Sequence, residues 1–541
     1  MGASPSQPLS FTAWIAMISP KNNAADSGKT LILAAICLAA LVLPLSFSGG
    51  AVATPAISRD LGGSPVALTW ITNAFMLSFG SLLMAAGTLA DQFGRKRLFA
   101  SGMALFVGSS LALTLAPSVV WLDIFRAVQG IAAAAALSSG SAALAQEFDG
   151  HARTRAFSML GTSFGVGLAF GPVLAGWLIA SFGWRSIFLL IAVIGGVALL
   201  FGVPRMRETR DPNATGLDWP GTVTFTATLV LFTFGIIQGP VSGWTHPLVM
   251  ALLAGSVLLL GAFVASETHV ARPMLDLSLF RYPLFVGVQV LPIGTCYCYI
   301  VLVVVLPLRF IGIDGLSEMQ AGLLMLALSS PMLVVPALAA KLTQWISAGV
   351  LSGVGFLVAA LGLYWLSQID ASSSVRLMVM PMLMIGIGTG LPWGLMDGLS
   401  VSVVPKARAG MATGIFSTTR VAGEGIALAV VSALLAGLIQ AGLHHTLPST
   451  NAIDLAMAAQ RLATGDLVHA SATLPLAEVS VLKASYVYAF QYVLHLLAGI
   501  TGICAVVVLA FLGRTRAIQD SSEESLLIAG ETEVAMDGME G

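Results

Sequence analysis

Fourteen runs of predominantly apolar residues, most of them close to bilayer length, divide this chain almost from end to end. They fall near 31–54, 67–90, 98–117, 119–143, 157–181, 186–204, 219–239, 247–266, 284–308, 319–340, 348–367, 376–403, 409–436 and 487–512. A helix needs about 20 apolar residues to cross a hydrocarbon core of ~30 Å. Composition agrees. Charged residues make up 9% of the 541 positions and apolar ones 57%, against about 25% charged in a soluble domain. The expected fold class is an all-α polytopic membrane protein.

Charge sets the orientation. With the N-terminus inside and spans alternating, seventeen of the 25 Lys and Arg fall inside, six fall outside, and Arg126 and Arg420 lie within spans. Inner loops of membrane proteins carry that excess, so both ends are expected in the cytoplasm. The first run has no clear cleavage site and reads as an uncleaved helix. A net charge of −1, with no long basic tract, gives no sign of a nucleic-acid partner. Cys37, Cys296, Cys298 and Cys504 all sit in apolar runs and imply no disulfide framework. Cys296 and Cys298 are ~200° apart around a helix and do not converge on a metal, and no metal site or phosphate-binding motif is expected.

The stretch from Gly87 to Phe99 joins the second and third runs. Gly87 allows close helix approach, Asp91 sits where the helix meets water, and Gly94 permits a tight turn. Arg95, Lys96 and Arg97 then form a positive cluster. The plain reading is a loop that only sets topology. The stretch also resembles the Gly-x-Leu-Ala-Asp-Arg-x-Gly-Arg-Arg/Lys loop of the major facilitator superfamily, in which this loop locks and releases the cytoplasmic side.

Four further stretches resemble the same family. Arg126-Ala-Val-Gln129-Gly130 matches Arg-x-x-Gln-Gly. Gly167, Gly171-Pro172 and Ala175-Gly176 match an antiporter signature, with Ala175 in place of a Gly. Leu217-Asp218-Trp219-Pro-Gly221 and Arg272-Pro-Met-Leu-Asp276 resemble the fourteen-span drug:proton antiporter branch. The resemblance implies the major facilitator fold: two six-helix bundles plus two inserted central helices. The boundaries it implies are a cytoplasmic arm at 1–29, an N-terminal bundle at 30–204, and a linker at 205–282 carrying the two inserted spans. A C-terminal bundle follows at 283–512, with a long external loop at 441–484, then an acidic tail at 513–541. Within that loop, 453–463 has the pattern of a short amphipathic helix. Gly167 and Gly171 share a helix face, which serves packing where lipid gives no hydrophobic drive; Pro172 would add a bend.

Charge within a span costs ~3 kcal/mol or more at the bilayer centre and needs a partner or water. Arg126 shares a face with Gln129 and Gly130; its plain structural reading is a pair with Asp123. Arg420 and Glu424 are four apart on one face, ~18 and ~24 Å into their span counted from Arg408; the plain reading is an intrahelical pair. The sharper expectation is that Glu424 exchanges a proton, with Arg126, Arg420 and Asp397 as further proton-coupling candidates. Asp397 also reads as a structural residue near Lys406 and Arg408. The branch usually carries Leu-Asp-x-Thr in its first span, where this chain has Leu45-Ser46-Phe47-Ser48. Ser46 cannot carry a proton or neutralise a cation. Substrate-cavity candidates are Ser46, Asn73, Gln129, Gln238, Trp393 and Gln491, with His495 beside them.

The function expected is proton-driven efflux of small amphipathic organic compounds, drugs or metabolites, by alternating access. The proton gradient supplies the energy and no cofactor is needed. The alternatives are a proton-uncoupled or uptake carrier for a metabolite, favoured by Ser46, and a transport-inactive membrane sensor. No nucleophile–base pair suggests an enzyme. The expected setting is the plasma membrane, the inner membrane if the source is bacterial. The expected partners are lipid and a small-molecule substrate, with a periplasmic adaptor as a candidate, and the chain is expected to be a monomer.

Overall fold

A computed structural model describes residues 24–148, 150–210, 218–270, 275, 277–369, 375–403 and 409–513. The expected N-terminal arm up to residue 23, Leu217, Arg272, Asp276, Lys406, Arg408 and the acidic tail from residue 514 lie outside the described residues.

The described residues form helices connected by short turns, with no strand among them. The first six are α1 (Ala24–Leu61), α2 (Pro65–Phe93), α3 (Arg95–Thr114), α4 (Val119–Glu147), α5 (Gly150–Phe182) and α6 (Arg185–Gly202). Next come α7 (Trp219–Ser242) and α8 (Pro247–His269), then α9 (Pro283–Gly312), which includes a π-turn at Cys296–Ile300. The series continues with α10 (Glu318–Leu342), α11 (Ala348–Ser367), α12 (Val379–Ser402) and α13 (Ala409–Thr446). Two short helices, α14 (Ala452–Ala463) and α15 (Leu467–Thr473), precede α16 (Val479–Leu512). Fourteen helices are long and apolar enough to span a bilayer, namely all but α14 and α15.

Several helices run past their apolar runs. The first extends to Leu61 rather than 54, the thirteenth to Thr446 rather than 436, and the last starts at Val479 rather than 487. Backbone hydrogen bonding continues where side chains turn polar, so hydropathy marks the hydrocarbon and not the helix end. The long loop is correspondingly shorter than its expected 441–484 and contains two helices.

Helices α1–α6 pack on one another, and so do α9–α13 with α16. The two sets meet chiefly along two seams, α2 against α13 and α5 against α10, and α1 also touches α9. Small residues make these approaches possible. A Cβ on Gly80 of α2 would lie 2.7 Å from Ala422 Cα of α13, and one on Gly322 of α10 would lie 2.9 Å from Pro172 O of α5. Gly176 meets the Glu318 carbonyl in the same seam. Gly167 and Gly171 serve another contact: they face Leu41, Pro44 and Ser48 of α1. Arg59 of α1 pairs with Glu318 of α10 at the outer end of the molecule.

Helix α7 lies over the α2–α13 seam, where Leu229 packs with Leu77 and Ala422. Asp218 caps it, accepting from the Gly221 amide at 2.9 Å. Gly221 also closely approaches Glu267 of α8, whose carboxylate accepts from the Leu275 amide at 2.8 Å. Helix α8 packs mainly on α7 and leaves most of its surface to lipid.

Candidate functional site

The most developed polar cluster in the first six helices surrounds Arg126. This side chain is completely buried. Its Nε donates to the Ile71 carbonyl at 2.8 Å, and its Nη1 donates to Ser46 Oγ at 2.8 Å and to Gln129 Oε1 at 2.6 Å. Ser46 donates to Gln129 Oε1 at 3.0 Å, and Gln129 Nε2 donates to Ser110 Oγ at 2.7 Å. The guanidinium lies 4.4 Å from the centre of the Phe75 ring, a favourable arrangement for a cation out of water. A Cβ on Gly50 would come within 3.2 Å of Arg126 Nη2, so the glycine makes room for the cation.

The expected pair with Asp123 does not form: no ion pair joins the two among the described residues, and Asp123 Oδ1 is buried without a hydrogen-bond partner. Arg126 turns instead toward α1 and α2, where it meets neutral acceptors and a ring. Ser46 occupies the centre of this network, and the network holds a buried cation with which no carboxylate forms an ion pair among the described residues.

In α13 the intrahelical Arg420–Glu424 pair of the plain reading is also absent. Arg420 donates from Nη1 to Asp397 Oδ1 of α12 at 3.3 Å and lies 5.8 Å and 5.9 Å from the Phe164 and Phe416 ring centres. Asp397 therefore serves Arg420; its expected neighbours Lys406 and Arg408 lie outside the described residues. Glu424 is 5% exposed and has no hydrogen-bond or ion-pair partner among the described residues. Its carboxyl borders a cavity of about 10 Å³ walled by Phe47, Phe75, Phe79, Phe164 and Ile300. That is about the space one water needs. The cavity lies where α1, α2, α5, α9 and α13 meet, and so between the two helix sets.

The loop between α2 and α3 is latched at several points. Gly94 has φ 111°, outside the range that side chains favour. Arg95 bonds Asp91 at 2.8 Å, one turn back, and its amide donates to the Thr209 carbonyl at 2.9 Å. Glu208, in the segment after α6, accepts from the Lys96 amide at 3.2 Å and pairs with Arg97 at 3.6 Å. A Cβ on Gly87 would lie 3.1 Å from Ser138 Oγ of α4. The ion pairs of this loop among the described residues thus stay within the first six helices and the segment that follows them. Glu208 was not singled out in the sequence; a lone acid in a polar connection carries no spacing signal.

The remaining cavity candidates scatter. Asn73 lines a second cavity in the outer half, described below. Gln238 bonds Ser242 within α7 at 2.8 Å. Trp393 is buried beside Tyr299, with ring centres 6.3 Å apart. Gln491 donates to the Ile369 carbonyl at 3.2 Å, and His495 meets Ser367 and Gln368, so both fasten α16 to the end of α11. None of these four lines either cavity. Among the described residues no cluster of His, Cys, Asp and Glu could hold a metal.

Comparison with known proteins follows the same lines. The chain is 30% identical over 394 residues to the multidrug resistance protein Stp of Mycobacterium tuberculosis, covering 72% of this chain and 73% of Stp. It is 33% identical over 424 residues to the cephamycin export protein CmcT of Amycolatopsis lactamdurans, covering 75% and 85%. It is 27% identical over 409 residues to the tetracenomycin C resistance and export protein of Streptomyces glaucescens, covering 75% and 76%. Among solved structures, an inward-facing bacterial homologue of the human lysosomal transporter Spinster shares the fold, with a TM-score of 0.60 at 15% identity over 91% of this chain and 98% of that one. These relatives are named for resistance and export, and with fourteen candidate spans among its described residues this chain is a multi-pass transport protein of the plasma membrane and not an enzyme. The sequence model of the Major Facilitator Superfamily matches residues 36–428, and the chain belongs to that family of transporters.

Proposed function

We propose that this transporter exports small amphipathic organic compounds in exchange for protons, by alternating access. The observation that carries the proposal is the position of Glu424. It is a buried carboxyl, bordered by phenylalanines, at the junction of the two helix sets. Its neighbour Arg420 is engaged by Asp397 instead. An ionised carboxylate is costly in such surroundings, so the group suits a role in which it takes a proton in one state and meets water in another. Export as the direction is supported by the relatives named above for resistance and export.

The test is drug sensitivity and dye accumulation in cells that overproduce the full chain. Overproduction is expected to lower accumulation of at least one amphipathic compound, a protonophore to abolish the effect, and Glu424→Gln to behave as empty vector while reaching the membrane. Normal export by Glu424→Gln would remove this residue from the mechanism.

One observation favours a second reading, a carrier uncoupled from protons: the position facing Arg126 is a serine already absorbed in a neutral network. Counterflow at zero gradient, unaffected by Glu424→Gln, is the result that reading requires.

A further inference from the structure

A cavity of about 50 Å³ lies in the outer half of the molecule, bounded by α1, α2, α7, α9, α13 and the external helix α14. Its lining contains no charged and no aromatic side chain. Hydroxyls and amides face it from several elements, Thr72 and Asn73 from α2, Ser432 from α13, and Gln460 and Thr464 from α14 and its end, while Ile237 of α7 closes the lipid side.

Asn73 points to a ligand. It is 2% exposed, its amide nitrogen donates to the Thr69 carbonyl at 3.1 Å, and its Oδ1 is buried with no partner. An acceptor left unpaired in the interior is costly, and a hydroxyl or amide donor on a bound molecule would complete it. The absence of counter-charge and of aromatic faces gives a cation nothing to offset its lost hydration.

Helix α14 covers this space. Its inward face carries Leu455, Ala458, Ala459 and Leu462, all buried, with Gln460 turned to the cavity. Polar contacts fasten its end. Gly465, at φ 76°, sits against Gly312 and Leu308 of α9. Asp466 accepts from Ser58 Oγ of α1 and from Arg461 Nη1, both at 3.4 Å, and caps α15 through the His469 amide at 3.2 Å. Among the described residues the hold across to α1 is this one long hydrogen bond, whereas the buried apolar face and Gly465 hold α14 to α13 and α9, so opening requires the helix to swing on those contacts. At about 50 Å³ the space takes water but no organic molecule, since ligand pockets run to about 300 Å³ or more. A ligand site here requires the space to enlarge, and α14 is the wall whose displacement would enlarge it.

We propose that this cavity is an outward-side substrate site for uncharged amphipathic molecules bearing a hydrogen-bond donor, and that α14 is its lid. The assignment of the site to the exit path rests on the export reading; its occupancy does not.

The test uses the full chain in native-lipid vesicles with Thr464→Cys, labelled by a membrane-impermeant maleimide and compared with the parent chain for background. Labelling is expected to proceed as the lid opens. Chloramphenicol, neutral and rich in donors, should slow it at least about fivefold, whereas ethidium, a cation, should not. Asn73→Leu should raise the half-protecting chloramphenicol concentration about tenfold, the equivalent of one hydrogen bond. No labelling at all, no protection, or equal protection by ethidium would each overturn the proposal. In a second arm, Ser58→Cys with Asp466→Cys should lock the lid on oxidation and stop export, and reduction should restore it. Export that continues with the disulfide formed would overturn the lid. A chain that shows the expected protection yet exports nothing in cells would instead reject the export reading and leave the site standing.

Discussion

Arg126 takes a full positive charge into the membrane and is held there by a carbonyl, a hydroxyl, an amide and a ring. The fork geometry of the guanidinium is what lets one side chain reach Ile71, Ser46 and Gln129 together; an ammonium cannot. Arg126→Lys is therefore expected to lose at least one charge-assisted bond, about 1.5–3 kcal/mol, seen as a lower unfolding temperature of the purified protein. An unchanged unfolding temperature would mean the network contributes little. Outside the membrane, Asp314 shows the same tension. Burial pushes its carboxyl above the usual aspartate range, although Arg309 at 3.4 Å pulls the other way. A folded-state value above the unfolded one means stability present at low pH and lost as pH rises from about 3.9 through the raised value. Asp314→Asn should flatten that part of the stability–pH curve. At this scale the sequence revealed which residues were out of place, Arg126, Arg420 and Glu424, because charge in an apolar run is conspicuous. It placed Gln129 beside Arg126, where the two bond, but misdirected the ion-pair partners. Spacing along one helix suggested Asp123 and Glu424 as partners for the two arginines, while the folded chain supplies Ser46, Ile71 and Asp397 from other helices.

Among the elements, glycines decide where helices touch. Gly80 lets α2 meet α13, and any side chain there must part the seam. Gly80→Leu is expected to leave a membrane-inserted protein with strongly reduced transport, measurable as dye efflux normalised to the amount of protein in the membrane. Gly94 makes a different demand, a positive φ at the turn where Glu208 approaches; a Cβ would lie 2.7 Å from Glu208 Cδ. Gly94→Ala should cost about 1–3 kcal/mol from backbone strain, and a wild-type unfolding temperature would show that the turn relaxes freely. The spans themselves were legible, because twenty apolar residues in lipid have little choice but a helix. Their ends were not, since helices continue into water, and neither was the way α7 lies over the α2–α13 seam. The amphipathic pattern at 453–463 did announce α14, but only the fold shows that it covers a cavity.

For the molecule as a whole, two main seams and a smaller α1–α9 contact join the helix sets, and the features that matter most lie on or near the α2–α13 seam. Glu424 borders a small apolar cavity there, α7 covers the seam, and the outer cavity opens beside it under α14. The family was legible in a few loop and helix motifs, and the match over residues 36–428 bears it out. The coupling mechanism was not legible, because it depends on which faces converge. The most direct measurement is substrate-driven proton movement in vesicles reconstituted with the purified full chain. With a pH gradient imposed and a transported compound added, the wild type is predicted to release protons in step with substrate movement, and Glu424→Gln to release none. Substrate movement at the wild-type rate in Glu424→Gln, with the same proton release, would contradict the account.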